Sequence, residues 1–286
     1  MIDRIDRIQV AVKDRARAAA TYRTLLGAEV AGEMPSRVLG ARRTLLALGE
    51  SWVELCEPDG TGVTADTLAA RGEGLIGAGV SSPDPEGLRR RIAGLGIDLL
   101  REEDQLTLPP ERNFGLRLVI SPSRPSPRVG PVSCLYEVTH TLVSDWRLVA
   151  AHLAGLFGLD PQRFSPIASK RFGYEGTLTL FNPPGRPDRI ELSQITGPGS
   201  AMGRWAKKHG DSLYMCYGET HDFPALVARL NAAGVRWTPR GASQAAECDG
   251  LWVHPGALHG VLLGFSRTTL VWEWSGRPEL VRPAPR

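Results

Sequence analysis

The chain of 286 residues carries the same order of motifs twice. A Val-x-Asp motif ending at Asp14 precedes a predicted helix that stops at Gly27, and a second one ending at Asp145 precedes a helix that stops at Gly158. Two further motifs also recur, namely a glutamate within an apolar strand segment and a Gly-acid pair: Glu54 with Glu191, and Gly72-Glu73 with Gly210-Asp211. A duplication that spans the chain restricts the fold more than any single motif, because both halves must adopt the same architecture.

Each half is predicted to contain two modules of the order β-α-β-β-β. In the first module, alternating residues predict a half-buried strand over Ile5–Val12, and Asp14 and Gly27 suit the two ends of the helix that follows. The next module begins after Gly72, with Asp84 as the N-cap of its helix. We therefore predict an α+β fold in which four modules pair into two half-open, mixed β-barrel domains.

A proline-rich stretch separates the two halves. Proline cannot donate to a sheet ladder, so residues 122–132 are predicted to link a first domain at 1–121 to a second domain at 133–286. The second domain ends in a tail, residues 268–286, that contains Trp272 and Trp274. This tail is expected either to cover the second barrel or to form the interface of a homodimer.

Composition excludes several classes of function. The net charge of +3 is spread along the chain, which argues against a nucleic-acid partner. No segment approaches the ~20 consecutive apolar residues of a membrane span, and no apolar signal region begins the chain. The four cysteines are widely spaced and indicate neither a zinc cluster nor a disulfide framework. We expect a cytoplasmic protein with reduced thiols whose partner is a small molecule.

Four segments carry a resemblance to a known family: the strand leading into Asp14, Val53-Glu54-Leu55, Gly72–Leu75 and the closing segment Val253–Leu263. In this order and spacing the chain resembles the vicinal oxygen chelate superfamily, which includes glyoxalase I, methylmalonyl-CoA epimerase, extradiol dioxygenases and bleomycin-resistance proteins. The resemblance extends to about Arg267. It implies half-open barrels whose inner faces hold a small molecule, usually over a divalent metal ion.

The resemblance also implies where metal ligands would lie. Members of the superfamily use His, Gln or Glu on the first and last strand of each module. The corresponding positions are Arg7, Glu54, Gly77 and Val119 in the first barrel, and Val138, Glu191, Met215 and Gly264 in the second. Of these side chains, the two glutamates suit a hard divalent ion, and a catalytic site needs about three such ligands. We therefore expect no cofactor, and any metal would bind His140 and Glu191.

In the first barrel, Arg7 and Glu54 occupy positions that face one another, so an ion pair is one interpretation. The alternative is that Arg7, with Gln9 nearby, binds an anionic group of a substrate while Glu54 acts as acid or base. The sequence does not decide between a structural and a substrate-binding role.

In the second barrel, His140 and Glu191 are the predicted acid and base, because a histidine next to a carboxylate can move protons near neutral pH. Tyr217 is a third catalytic candidate, since its phenol is expected to reach the pocket. The remaining candidates are expected to contact a substrate: Tyr174, Tyr214 and Met215. The second half is therefore the better place to look for activity.

Three functions remain open. The first is a metal-independent isomerase, lyase or cyclase that acts on a small organic molecule through the acid–base residues of the second barrel. The alternative is a binding protein that sequesters an aromatic or cationic compound, as resistance proteins of this superfamily do. The third is a metal-dependent dioxygenase or glyoxalase, which the missing ligands argue against.

Overall fold

The computed structural model describes residues 1–126, 128–241 and 248–282. The first half forms a mixed sheet in the order β2-β3-β4-β1-β5-β8-β7-β6. Its strands are β1 (Arg4–Ala11), β2 (Glu29–Ser36), β3 (Ala41–Leu48), β4 (Ser51–Pro58), β5 (Gly74–Ser82), β6 (Leu100–Glu102), β7 (Gln105–Leu108) and β8 (Leu118–Pro122).

The second half repeats this topology in the order β10-β11-β12-β9-β13-β16-β15-β14. Its strands are β9 (Val132–Leu142), β10 (Ser165–Ser169), β11 (Tyr174–Leu180), β12 (Arg189–Ile195), β13 (Ser212–Thr220), β14 (Trp237–Arg240), β15 (Gly250–Val253) and β16 (Leu262–Arg267). In each sheet the first strands of the two modules lie side by side and antiparallel, and each is parallel to the last strand of its own module. The predicted α+β fold of four paired β-α-β-β-β modules is confirmed.

The helix of each module begins where an aspartate accepts a hydrogen bond from the first turn. These helices are α1 (Arg15–Leu26), α3 (Pro85–Ala93), α4 (Trp146–Phe157) and α6 (Phe223–Ala232), capped by Asp14, Asp84, Asp145 and Asp222. Two helices that the sequence analysis did not foresee, α2 (Val63–Arg71) and α5 (Ala201–His209), precede the second module of each half.

The four module helices, α1, α3, α4 and α6, pack on one face of the sheets, around an apolar core that is continuous between the halves. This core includes Ile8 and Val53 of the first half and Val138 and Leu192 of the second. The opposite face, which carries Glu54 in the first sheet and Glu191 in the second, is called the inner face below. Polar side chains are concentrated there because the other face is committed to the core.

The tail lies on the second barrel. After β16, Val271, Trp272 and Val281 are buried in an apolar cluster with side chains of the second sheet, namely Tyr136, Met215 and Tyr217. The Trp274 carbonyl accepts a hydrogen bond of 3.1 Å from the Arg189 guanidinium. Of the two positions open from the sequence, the described part of the tail takes the one that covers the second barrel.

The repeated Gly-acid motif joins the halves. Gly260 lies against the backbone oxygen of Glu73, and Gly115 lies in the same way against that of Asp211. A Cβ at either glycine would come within 1.8 or 2.2 Å of that oxygen, and both glycines have positive φ angles. Each half thus inserts an equivalent turn against the motif of the other.

Candidate functional site

The Glu54 carboxylate lies at the centre of the first inner face. Arg7 Nη1 lies 2.5 Å from Glu54 Oε1, and Gln9 Nε2 lies 2.8 Å from Oε2. Arg43 and Gln105 donate to the same carboxylate at 3.3 and 2.9 Å. Burial alone would raise the pKa of Glu54, but the charges of Arg7 and Arg43 outweigh it and lower this pKa to about 2.

This arrangement makes Glu54 a fixed anion. All of its hydrogen-bonding capacity is directed to side chains of the first barrel, and Arg7 also bonds to Asp6 at 3.0 Å. The ion-pair interpretation of Arg7 and Glu54 therefore describes the structure, whereas a proton-transfer role near neutral pH does not fit the low pKa.

On the second inner face, the residues of β9 are shifted by one position from those that the repeated motifs predict. Gln9 lies opposite Glu54 in the first sheet, and Thr139 lies opposite Glu191 in the second. The residue two positions before Thr139 is Glu137, which therefore takes the place that Arg7 has in the first barrel. The assignment of that place to Val138 is wrong.

The slip has a simple cause. Five positions separate Gln9 from the capping Asp14, whereas six separate Thr139 from Asp145, because β9 runs one residue further than β1 before its helix. Since successive side chains of a strand point to opposite faces, one residue moves Val138 into the helix-side core.

His140 shares that helix-side orientation. It lies opposite Leu192 in the sheet, and its Nε2 donates a hydrogen bond of 2.8 Å to the carbonyl of Phe114 in the first half. Burial lowers the pKa of His140 to about 4, so the ring is neutral near pH 7. The expected pairing of His140 with Glu191, for acid–base chemistry or for a metal, is not formed.

The structure instead brings Glu137 and Glu191 together on the inner face. Both are buried, at 3% and 9% exposure. Arg189 Nε lies 2.5 Å from Glu137 Oε2, so Glu137 has a permanent cation beside it. Thr139 and Ser193 donate to Glu191 through their hydroxyl groups, at 3.3 and 2.5 Å.

The surroundings of Glu191 favour its protonated form. Burial, and next the charge of Glu137, raise the pKa of Glu191 to about 8, and a hydrogen bond between the two side chains contributes to the shift. Glu191 is therefore protonated near pH 7 beside the carboxylate of Glu137, which Arg189 stabilises.

Aromatic side chains surround this pair. Tyr217 lies opposite Glu137 in the sheet and accepts a hydrogen bond of 2.7 Å from Trp252 Nε1. Met215 lies opposite Thr139, and Tyr174 stands at the partly exposed edge on β11. Burial comes first among the causes that raise the pKa values of Tyr217 and Tyr174, so both phenols stay protonated at neutral pH.

Two further side chains lie in this part of the second barrel: Tyr214, which the sequence analysis named as a candidate, and Arg240, which it did not. The Tyr214 ring packs edge-on against Trp205 of α5, with ring centres 5.8 Å apart. The Arg240 guanidinium lies 3.8 Å from the centre of the Trp274 ring in the tail. Arg240 therefore lies beside the aromatic wall of the second barrel, which is formed by Tyr217, Trp252, Trp272 and Trp274.

The sequence analysis missed Glu137, Arg189 and Arg240. A signal for the first was present, since Glu137 is an acidic residue within the largely apolar strand β9, and burying its charge costs free energy unless a partner compensates it. The pairing of Glu137 with Arg189 depends on the register of β9 with β12, which the spacing of motifs did not fix.

Neither inner face fits the divalent ion that the fold family implies. In the first, the Arg7 guanidinium is bonded to the carboxylate that would be the ligand. In the second, two carboxylates are accompanied by Met215 and Gly264 at the remaining positions. Among the described residues, no group of three His, Cys, Asp or Glu side chains is close enough to share an ion.

Comparison with known proteins identifies the fold. No protein-family model and no curated sequence matches the chain. The chain is similar to a variant of 4-hydroxymandelate synthase from Streptomyces coelicolor, with 14% identity, a TM-score of 0.73 and 93% of each chain covered. Methylmalonyl-CoA epimerase from Mycobacterium tuberculosis matches at 23% identity and a TM-score of 0.39, over 43% of this chain and 90% of that one.

The Streptomyces coelicolor methylmalonyl-CoA epimerase matches at 24% identity and a TM-score of 0.38, over 43% of this chain and all of that one. Similarity along nearly the whole length of the synthase shows that this chain shares its fold, and the two halves of the chain repeat one sheet topology. Within the described ranges, no helix is both long and apolar enough to cross a membrane.

Proposed function

We propose that the second barrel of this tandem vicinal oxygen chelate fold catalyses proton transfer in a small organic molecule without a metal ion, as an isomerase, lyase or cyclase does. The observation that carries the proposal is the buried pair of Glu137 and Glu191, in which burial, and next the charge of Glu137, raise the pKa of Glu191 to about 8. Neighbouring carboxyl groups in opposite protonation states supply an acid and a base side by side.

A carbonyl compound with a hydrogen on the adjacent carbon is the substrate class that suits such a pair. Glu191 donates its proton to the carbonyl oxygen while Glu137 accepts the proton of the carbon, so the C–H bond breaks and an enol forms. The pair carries one proton and one negative charge before and after the step, and no oxidant or reductant is needed. Return of a proton to the other face, or to a neighbouring carbon, gives an isomer.

The surrounding side chains support this role. The protonated phenol of Tyr174, at the partly exposed edge, can donate a hydrogen bond to a substrate oxygen. Met215, Tyr217 and Trp272 form an apolar cluster beside the pair that suits the remainder of the molecule.

Deuterium exchange tests the proposal without knowledge of the substrate. The protein is incubated in D2O with a panel of ketones, aldehydes and 2-oxo acids, and loss of the proton next to the carbonyl is followed by NMR. We expect exchange with at least one compound, and a fall of about 100-fold or more in Glu191→Gln and in Glu137→Gln. A chelator should leave the wild-type rate unchanged.

The matched control is Glu219→Gln. Glu219 is a buried glutamate of the same half whose pKa burial raises to about 7, but its hydrogen bond is to Thr268, away from the Glu137–Glu191 pair. This variant should exchange protons at the wild-type rate. Equal losses in all three variants, or loss of exchange with the chelator and recovery on adding Fe, Mn, Ni or Zn, would contradict the proposal.

Sequestration of an aromatic compound is the second candidate, and the aromatic wall with Trp252, Trp272 and Arg240 on Trp274 favours it. The same panel separates the two. Compounds that quench tryptophan fluorescence without any exchange, in wild type and Glu191→Gln alike, would favour binding over catalysis.

A further inference from the structure

A pocket of about 320 Å³ lies between α2 and the beginning of β13, where the two halves meet. Its walls are partly apolar, from Val63, Ile76 and Leu213. The side chain of Arg117, just before β8, reaches this pocket from the inner face of the first sheet. It is separate from the Glu137–Glu191 pair in the second barrel.

Arg117 differs from the other deeply buried arginines. Among the described residues, Arg7, Arg43, Arg117 and Arg189 are less than a tenth exposed. Three of them have carboxylate partners within 3.5 Å, whereas the guanidinium of Arg117, a residue that is 8% exposed, makes no hydrogen bond or ion pair with any described residue. A buried guanidinium stays charged, so leaving it without a partner destabilises the ligand-free fold.

The backbone leaves room for this side chain. A Cβ on Gly77 would lie 3.4 Å from Arg117 Cγ and Cδ and 2.5 Å from Gln9 Oε1. The Arg117 stem thus packs over the backbone of Gly77, beside the Gln9 amide.

The carboxylates of the pocket do not neutralise Arg117. Asp211 accepts hydrogen bonds from the backbone of Val143 and from both Ser144 N and Oγ, and so is already occupied. Asp66 is exposed in the first turn of α2 and forms no ion pair with Arg117. The Glu111 carboxylate acts on Arg117 through its charge alone, and no described carboxylate forms an ion pair with this guanidinium.

We propose that this pocket binds a small organic carboxylate, with Arg117 as its anchor. One guanidinium matches a single carboxylate in charge and in geometry. The apolar walls fit a short hydrocarbon chain, and the volume lies at the lower end of ligand pockets. A phosphate, with its higher charge and no apolar part, matches these walls less well.

Calorimetry on the full-length protein with hexanoate, hexanamide and inorganic phosphate tests the site. We expect hexanoate to bind at least tenfold more tightly than either of the others. Arg117→Met, which keeps the apolar stem, should weaken hexanoate binding at least tenfold. Arg71→Met is the matched control, because Arg71 lies at the exposed end of α2 on the rim, and it should change affinity less than threefold.

Thermal unfolding separates a binding role from a structural one. Removing a charge that has no partner should leave the Tm of ligand-free Arg117→Met equal to or above that of wild type. Any one of four results would overturn the proposal. These are a lower Tm for Arg117→Met, equal hexanoate affinity in both proteins, no binding of hexanoate by wild type up to about 10 mM, and tighter binding of phosphate than of hexanoate. The rate of substrate deuterium exchange, which depends on Glu137 and Glu191, should be unchanged in Arg117→Met. The two proposals can therefore fail independently.

Discussion

At the scale of the residue, equivalent positions in the two barrels bury charged groups in opposite ways. Arg7 and Glu54 form an ion pair in the first barrel, and Glu137 and Glu191 form a pair of like groups in the second. The ion pair holds the pKa of Glu54 low and fixes its charge, whereas the like pair raises the pKa of Glu191 into the range in which proton transfer is useful.

The raised pKa of Glu191 predicts a pH dependence of stability. The folded state binds a proton here up to about pH 8 and the unfolded state only up to about 4.5, so the stabilising contribution is full below 4.5 and is lost as pH rises to 8. In this window wild type should lose stability relative to Glu191→Gln, by at most about 1.4 kcal/mol per pH unit.

Urea unfolding between pH 5 and 9 measures this difference. The groups that face Glu191, namely Glu137, Arg189, Tyr174 and Tyr217, are unchanged in the variant, so the difference isolates Glu191. Glu29→Gln, at an exposed glutamate, should follow the wild-type profile. Parallel profiles for wild type and Glu191→Gln would show that Glu191 has an ordinary pKa.

At the scale of the element, the register of one strand decides which residues reach the inner face. Matching the Val-x-Asp motifs predicts the order of the strands and of the four module helices correctly, since those motifs cap equivalent helices. The match of motifs does not give the number of residues between the end of the strand and the capping aspartate. Because β9 is one residue longer there, Glu137 rather than Val138 lies on the inner face, and His140 points toward the first half.

Truncation of Val138 tests this register. Because its side chain is fully buried in the helix-side core, Val138→Ala should cost about 1–3 kcal/mol of unfolding free energy and leave the exchange rate within twofold of wild type. Val143→Ala, at a position 60% exposed just beyond the same strand, should change stability by less than about 0.5 kcal/mol. Lost exchange with unchanged stability would place Val138 on the inner face instead.

At the scale of the whole molecule, the duplication allows the two halves to diverge. Repetition in the sequence predicts the fold and both surviving glutamates, Glu54 and Glu191, because these lie within motifs that recur. It does not predict the Glu137–Glu191 pair, the Arg117 pocket or the tail over the second barrel. Each of these depends on contacts between segments far apart in sequence, such as Arg189 with the Trp274 carbonyl.

The central claim is that Glu137 and Glu191 share one proton at neutral pH, and carbon NMR of protein labelled at the glutamate carboxyl groups tests it most directly. We expect one buried carboxyl to remain protonated at pH 7 and to titrate near pH 8, and this signal to be absent from Glu191→Gln. In Arg189→Met the proton should be held to a higher pH, because the cation that opposes it is removed. A wild-type spectrum in which every glutamate is ionised by pH 6 would contradict the account.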